Sequence, residues 1–260
     1  MTDDAATIRR QQLEGLVAHA ARRWDDTDRV LIEDFLHHYH GGMATEDLTH
    51  RGIPMLYGAA VSHWRLGADR QPGHTALAIY NPDPEQNGWE STHTVIQIVA
   101  DDRPFLVDSL SMAINELGLM IHLIVHPVLE IARDANGWAT SVGESSASDG
   151  EPEAWIHIEV DRQAERQQLQ ALEEAIRSAL ADVELAVSDW QAMRRQAQRA
   201  RAALQRRAPD SSDDYLNEVD DFLAWILDDH FTFLGYRRYD LRRAHDAVQL
   251  RAVRGSGLGL

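Results

Sequence analysis

The segment from residue 92 to residue 118, THTVIQIVADDRPFLVDSLSMAINELG, decides the fold of this chain. Its first part, Thr92–Ala100, is rich in β-branched residues and is typical of a buried strand. The polar run that follows, residues 101–104, contains Pro104 and predicts a turn. Apolar residues with helical spacing come next and end at Gly118: Phe105, Leu106, Leu110, Ala113, Ile114 and Leu117. The segment therefore predicts a strand, a turn and a helix.

The residues that follow extend this pattern to the order β-α-β-β-α-β. The predicted elements after the first helix are an extended run, an alternating strand, a helix and a short strand: Met120–Arg133, Ala154–Asp161, Ala164–Leu180 and Val183–Val187, with a mobile loop over Ser141–Pro152. This order is that of the ferredoxin-like fold, an antiparallel sheet with two helices on one face. We predict such a domain over residues 75–188, with a further strand at Thr75–Tyr80.

Helical periodicity dominates residues 1–74, which we predict to be a helical subdomain. Its expected helices lie near Ile8–Ala21, over Asp28–Tyr39 and from Thr45 to about Trp64, where Pro54 predicts a start or a kink. An Arg- and Ala-rich connecting helix and linker is expected over residues 189–212. Residues 213–260 read as the start of a second α+β unit that continues beyond the given residues. The expected fold class is therefore α+β.

Composition excludes several kinds of chemistry. The chain has 25 Lys+Arg against 42 Asp+Glu, a formal net charge of −17, no Cys and, on reading the sequence, no Lys. Thiol catalysis, disulfides, zinc–thiolate sites and Schiff-base lysines are thereby excluded. The acidic balance argues against nucleic-acid and membrane-surface partners. Without a signal peptide or a long apolar run, we expect a cytoplasmic protein.

Four polar residues on two predicted strands form the first candidate site: His122, His126, His157 and Glu159. Strand alternation places them on one sheet face, and places Leu123 and Val125 with Ile156 and Ile158 on the other. One interpretation is an acid–base or metal constellation, which would make the chain a stand-alone His-centred metal-dependent hydrolase. The favoured interpretation is a polar interface with another subunit or with the N-terminal helices.

The turn between the first strand and helix of the domain is the second candidate site. Its residues are Asp101, Asp102, Arg103, Pro104 and Phe105. The amides at the helix start and Arg103 could hold a carboxylate, and the two aspartates could hold an ammonium group, as in amino-acid binding. The alternative is a structural one, in which the same residues form an acidic N-cap with a proline near the first helical position.

Several stretches resemble the N-terminal region of the large bacterial NAD-specific glutamate dehydrogenases. They are spread over most of residues 80–260: residues 81–84, 88–90, 101–109, 121–128, 155–159 and 228–237. The resemblance implies a longer polypeptide whose N-terminal part carries ACT-like domains and whose distant part oxidises L-glutamate with NAD. This chain would then serve regulation or assembly, with the rest of the polypeptide, further subunits and an amino-acid effector as partners.

The resemblance also implies which residues are not catalytic. Dehydrogenases of this type use lysines to hold the substrate carboxylate, so a chain without Lys is expected to oxidise no glutamate. No residue of it is expected to be catalytic, to bind NAD or to bind a metal. The usual ACT signature after the first strand is Asp-x-Pro-Gly-Leu, which corresponds here to Asp102–Leu106. Phe105 replaces the glycine, and we expect its side chain to enter the core.

Overall fold

A computed structural model describes residues 2–144, 151–207, 214–244 and 247–260. The helices of this described part are α1 Thr2–Ala20, α2 Asp26–Tyr39, α3 Thr45–His50, α4 Ile53–Gly67, α5 Pro84–Asn87, α6 Leu106–Glu116, α7 Arg166–Arg207 and α8 Asp214–Trp225. Its strands are β1 Ala76–Tyr80, β2 Thr94–Asp101, β3 Ile121–Val125, β4 Val128–Arg133, β5 Ala139–Glu144, β6 Glu151–Val160, β7 Gly235–Tyr236, β8 Tyr239–Ala244, β9 Ala247–Ala252 and β10 Leu258–Gly259. The predicted α+β class is confirmed.

Two compact units divide the chain, Met1–Ile176 and Arg177–Leu260. The first unit holds the helices α1–α6 and one six-stranded sheet, and the boundary falls inside α7. The domain limits expected after residues 74, 188 and 212 stay predictions. Of the loop expected over Ser141–Pro152, the two ends belong to β5 and β6, and residues 145–150 lie outside the described residues.

The sheet of the first unit is antiparallel, with the strand order β1-β2-β6-β4-β5. The ten-residue strand β6 pairs with β2 along one edge, and both β3 and β4 pair with its other edge. The succession β2, α6, β3–β4, β6, α7 therefore follows the predicted order up to its second helix. A ferredoxin-like sheet places its last strand beside its first. Here that place beside β2 belongs to β1, which precedes β2 in the chain.

The strand predicted at Val183–Val187 is wrong, because these residues lie inside the 42-residue helix α7. No Gly or Pro separates the predicted strand from the preceding helical residues, so nothing interrupts the helix. The buried residues Val183, Ala186 and Met193 are also spaced by three and seven positions, which is a helical period. The predicted helix 164–180 and the predicted connecting helix are thus one element.

The third N-terminal helix divides in two at Arg51 and Gly52, which both have extended backbone angles. Pro54 lies in the first turn of α4, as expected of a proline that starts a helix. Helix α4 packs against the sheet through glycine: a Cβ atom built on Gly67 would lie 2.5 Å from the Trp155 ring and 2.8 Å from Val99. The missing side chain thus permits the close approach of helix and strand.

The two central strands of the sheet, β2 and β6, are buried on both faces. On one face Trp155 packs against Phe35 and Trp64, with ring centroids 4.9 and 6.0 Å apart, so the N-terminal helices cover this side. The other face carries fully buried isoleucines: Ile96, Ile98, Ile156 and Ile158. The other helices of this unit are α6 and the first turns of α7. Their residues Leu110 and Leu172 are buried, so we assign these helices to the isoleucine face.

The faces assigned to β3 were predicted wrongly. Leu123 lies opposite Glu159 and Val125 opposite His157, and the register is irregular between Ile121 and Leu123. Residues directly opposite each other share a face, so Leu123 and Val125 lie with the polar residues of β6. One extra residue at the irregularity shifts the alternation by one position.

The second unit contains the remainder of α7, helix α8 and two small two-stranded sheets, β8–β9 and β7–β10. Arg201 of α7 donates to the carboxylate of Asp220 in α8 at 2.9 and 3.0 Å. Helix α8 ends at Trp225, and a π-helical turn over Ile226–His230 follows it. Among the described helices, none combines the length and the apolar character needed to cross a membrane.

Candidate functional site

The two aspartates of the β2–α6 turn differ in their exposure to solvent and in their hydrogen-bond partners. The Asp101 carboxylate accepts hydrogen bonds from the Arg70 guanidinium at 3.0 Å and from the backbone N–H of Gly73 at 3.3 Å. Partial burial alone would raise the pKa of Asp101, but these donors outweigh it and the pKa is lowered. Asp102 is exposed, and its own backbone N–H donates to the Pro152 carbonyl. Asp102 is therefore the more exposed of the two aspartates, and the Asp101 carboxylate is held by protein donors.

Phe105 precedes α6 in the left-handed backbone region, with φ 72° and ψ 1°, and no side chain caps this helix. Its side chain is 47% exposed. The expectation that Phe105 enters the core is therefore wrong. The inward positions of α6 belong to Leu106, Leu110 and Ile114, and the residue before the first turn points away from them. The backbone keeps a conformation that glycine favours although the residue is phenylalanine.

The four residues of the first candidate site do not form one cluster. His157 and Glu159 lie on the face beneath the N-terminal helices, with 3.4 Å between the His157 Nε2 and a Glu159 oxygen. His122 is exposed and pairs with Asp161 at 2.8 Å. His126 lies apart, near Asp102; burial lowers its pKa, and the Asp102 carboxylate opposes that effect.

Two residues that sequence reasoning missed complete the surroundings of Glu159. Arg51 donates to both carboxylate oxygens, at 2.6 and 3.0 Å, and His93 Nδ1 lies 3.0 Å from one of them. The His93 ring also stacks on His122, with centroids 4.2 Å apart, which links His122 indirectly to Glu159. Burial would raise the pKa of Glu159, but its hydrogen bonds with His157 and Arg51 lower it to about 2. Glu159 is therefore ionised near neutral pH and is paired with Arg51.

The buried His63 has a defined tautomer. His63 Nε2 lies 3.0 Å from the Ile98 carbonyl, which can only accept, so Nε2 carries the proton and Nδ1 accepts from the Tyr39 hydroxyl at 2.9 Å. Burial, with a smaller effect of His157, lowers the pKa of His63 to about 3. A neutral imidazole thus joins α2 and α4 to strand β2.

A second ionic cluster fixes the end of α4 to the sheet. Glu153 is buried and lies 2.8 Å from Arg70 and 2.7 Å from Arg133. Arg133 also donates to the carbonyl oxygens of Gly67 and Ala68, which belong to the end of α4. Asp101 extends the cluster, because its carboxylate pairs with Arg70 at 3.0 Å and with Arg103 at 3.7 Å.

These contacts describe a clamp between the N-terminal helices and the sheet, and not a reactive centre. His63, His157, Glu153 and Glu159 are each hydrogen-bonded or ion-paired to protein groups, so none of these four is left to activate water. Within the residues that the structure describes, no three His, Cys, Asp or Glu side chains lie where they could hold a metal ion. The hydrolase hypothesis finds no support, and the favoured interface with the N-terminal helices agrees with the contacts of His157 and Glu159.

Comparison with known proteins gives the family. Residues 35–176 match the model of the glutamate dehydrogenase ACT1 domain, an α+β module in agreement with the sheet described above. The chain belongs to this family. It is 36% identical over 253 residues to the NAD-specific glutamate dehydrogenase of Halomonas elongata, a match that covers 95% of this chain.

Two further relatives carry the same description. The NAD-specific glutamate dehydrogenase of Pseudomonas aeruginosa is 34% identical over 228 residues, or 87% of this chain, and that of Mycobacterium tuberculosis is 28% identical over 194 residues, or 71%. The matched region makes up 16%, 14% and 11% of the three relatives, in the order in which they are given. The chain thus spans only a small part of the length of the curated relatives it matches.

Proposed function

We propose that this chain is the N-terminal, non-catalytic region of a cytoplasmic NAD-dependent glutamate dehydrogenase, where it serves subunit assembly and senses an amino acid. The observation that supports this most directly is the 36% identity over 95% of the chain with an NAD-specific glutamate dehydrogenase. NAD and the oxidation of L-glutamate to 2-oxoglutarate and ammonia belong to the rest of that polypeptide. A chain without lysine lacks the ammonium group expected to bind the substrate carboxylate.

The amino-acid site of this proposal is the β2–α6 turn. The first amides of α6 carry no side-chain cap, so they can bind the carboxylate of an effector with the help of the helix dipole. Asp102 is the exposed acid beside them and can bind the ammonium group, since the Asp101 carboxylate is held by Arg70. Pro104 and Phe105 then form the rim of the site.

Assays of the full-length enzyme test the proposal. The isolated chain should oxidise no glutamate, while the full-length enzyme should. In the full-length enzyme, Asp102→Asn should leave kcat unchanged and abolish the response to the activating or inhibiting amino acid found by screening. Deletion of residues 1–260 should shift the sedimentation coefficient to a smaller assembly. Glutamate oxidation by the isolated chain, or an unchanged effector response and assembly in these variants, would refute the proposal.

A further inference from the structure

Two neighbouring cavities in the helical part of the first unit share the side chains of Trp24 and Arg65. One has a volume of about 360 Å³ and lies between the end of α1, helix α4 and the turn after α5. The other has a volume of about 270 Å³ and reaches the β4–β5 turn. Neither cavity is lined by residues of the β2–α6 turn or by the residues around Glu159.

The larger cavity is basic in a chain of net charge −17. Arg23 and Arg65 line it, and none of its lining residues carries a carboxylate. Burial, together with the charges of Arg23 and Arg22, lowers the pKa of the neighbouring His19, as expected where the local potential is positive. The Tyr57 hydroxyl accepts the indole N–H of Trp24 at 2.8 Å, so its own hydrogen is available to a ligand oxygen. These groups fit a carboxylate.

The smaller cavity adds negative charge and aromatic walls. Asp28 and Asp69 line it, and neither they nor Arg65 form an ion pair with another described residue. Its walls include the indoles of Trp24, Trp64 and Trp138, and the Trp138 side chain is 54% exposed although it borders a cavity. Unpaired acids beside indole faces fit an ammonium group attached to a planar or apolar body.

From this arrangement we propose that the two cavities form one binding site for a small zwitterion with an aromatic body, an aromatic amino acid or a molecule of the same chemistry. The carboxylate binds between Arg23 and Arg65. The ammonium group binds at Asp28 and Asp69, and the ring packs among the tryptophans. The proposal is independent of the β2–α6 turn and does not require that turn to bind an effector.

Three probes with the same ring separate the contributions of the two charges. L-phenylalanine carries both charges, 3-phenylpropanoate only the carboxylate, and 2-phenylethylamine only the ammonium group. Calorimetry and tryptophan fluorescence of the purified chain should show the tightest binding for L-phenylalanine. Arg65→Gln should weaken binding of the two carboxylates by about tenfold or more, the effect of losing one charge-assisted hydrogen bond. Asp69→Asn should weaken L-phenylalanine but leave 3-phenylpropanoate unchanged.

Two control variants keep the result interpretable. Arg10→Gln removes an exposed arginine outside both cavities and should leave the affinity for L-phenylalanine unchanged. Asp102→Asn reports whether L-phenylalanine binds at the β2–α6 turn instead. Arg65 and Asp69 are exposed and unpaired with described residues, so their variants should unfold at the temperature of the parent chain. No binding of L-phenylalanine at millimolar concentration would overturn the proposal. Binding lost in Asp102→Asn but kept in Arg65→Gln would also overturn it and would place the ligand at the turn.

Discussion

Phe105 shows how a single residue can occupy a backbone conformation that its side chain disfavours. A left-handed φ costs a non-glycine residue roughly 1–2 kcal/mol, and such strain often marks functional segments. The sequence predicted the turn correctly from its Asp and Pro residues. It could not predict the orientation of Phe105, because φ at that position is set by the approach of β2 to α6 and not by local preference.

Substitution of Phe105 measures this strain. In ordinary positions alanine is more stable than glycine by about 0.5–1 kcal/mol. At position 105 we expect the reverse order, with Phe105→Gly more stable than Phe105→Ala by up to about 1 kcal/mol, since only glycine relieves the left-handed backbone. Urea denaturation of the two variants measures the difference. The usual order, alanine above glycine, would show that the backbone at this position is unstrained.

Glu153 is the buried carboxylate that joins Arg70 and Arg133. Glu153→Gln keeps the shape of the side chain but removes the carboxylate from Arg133, whose side chain is 5% exposed, and leaves Arg70, whose side chain is 3% exposed, with Asp101 alone. The expected loss in the free energy of unfolding is about 3–5 kcal/mol. Glu14→Gln is the matched control, because the Arg10–Glu14 pair is exposed and its loss should cost less than about 0.5 kcal/mol. Equal effects of the two substitutions would contradict the assigned role.

The site residues that sequence reasoning missed share one property. Arg51 is separated from Glu159 by 108 positions in the sequence, and His93 by 66. Local sequence patterns do not predict contacts between residues so far apart. His157 and Glu159, by contrast, were assigned to their correct face because strand alternation is local. Leu123 and Val125 were assigned to the wrong face because the register of β3 is irregular after Ile121. A single irregularity of this kind moves every later residue of the strand to the opposite face.

At the scale of elements, periodicity predicted most helices and strands but not where one long helix continues. Residues 183–187 are mostly apolar, as a short strand can be, but no helix breaker precedes them and they continue helix α7. The sequence also could not predict which strand pairs with the outer edge of β2. Strand β1 occupies that edge, but a later strand could form the same backbone hydrogen bonds. Pairing along a sheet edge is decided by tertiary contacts.

The contact of α4 with the sheet gives an element-scale prediction. Gly67→Ala places a methyl group against Trp155 and Val99 at distances too short for carbon atoms, so helix α4 must move away from the sheet. Overpacking of this kind should lower the free energy of unfolding by about 1–3 kcal/mol. Gly42→Ala is the control, because a Cβ atom there meets nothing within 4 Å. Thermal denaturation of both variants tests this, and a neutral Gly67→Ala would mean that the helix does not pack as described.

For the whole molecule, the buried imidazoles predict how stability depends on pH. Burial lowers the pKa of His40 and of His63 to about 3, against roughly 6.5 in an unfolded chain. Between these values the unfolded state binds protons that the folded state does not, so stability falls as pH decreases below about 6.5, by up to about 2.7 kcal/mol per pH unit for the pair. Glu159, with a pKa of about 2, adds a further loss below about pH 4.5.

Urea denaturation at pH 7.5, 6.5 and 5.5 measures this dependence. His74→Gln is a suitable control, since His74 is exposed and the slope with pH should not change. A free energy of unfolding that is the same at pH 7.5 and 5.5 would show that the buried imidazoles bind protons in the folded state as they do in the unfolded chain, and would contradict their lowered pKa values.

The position of β1 ahead of β2 has a consequence for aggregation. Seven of the eight residues of β2 are buried, and β1 covers one of its two edges. A shortened chain that begins between residues 81 and 93 would expose an apolar strand with a row of unpaired N–H and C=O groups, which is a template for intermolecular pairing. A few residues at the start of the sheet therefore protect its most hydrophobic strand from self-association.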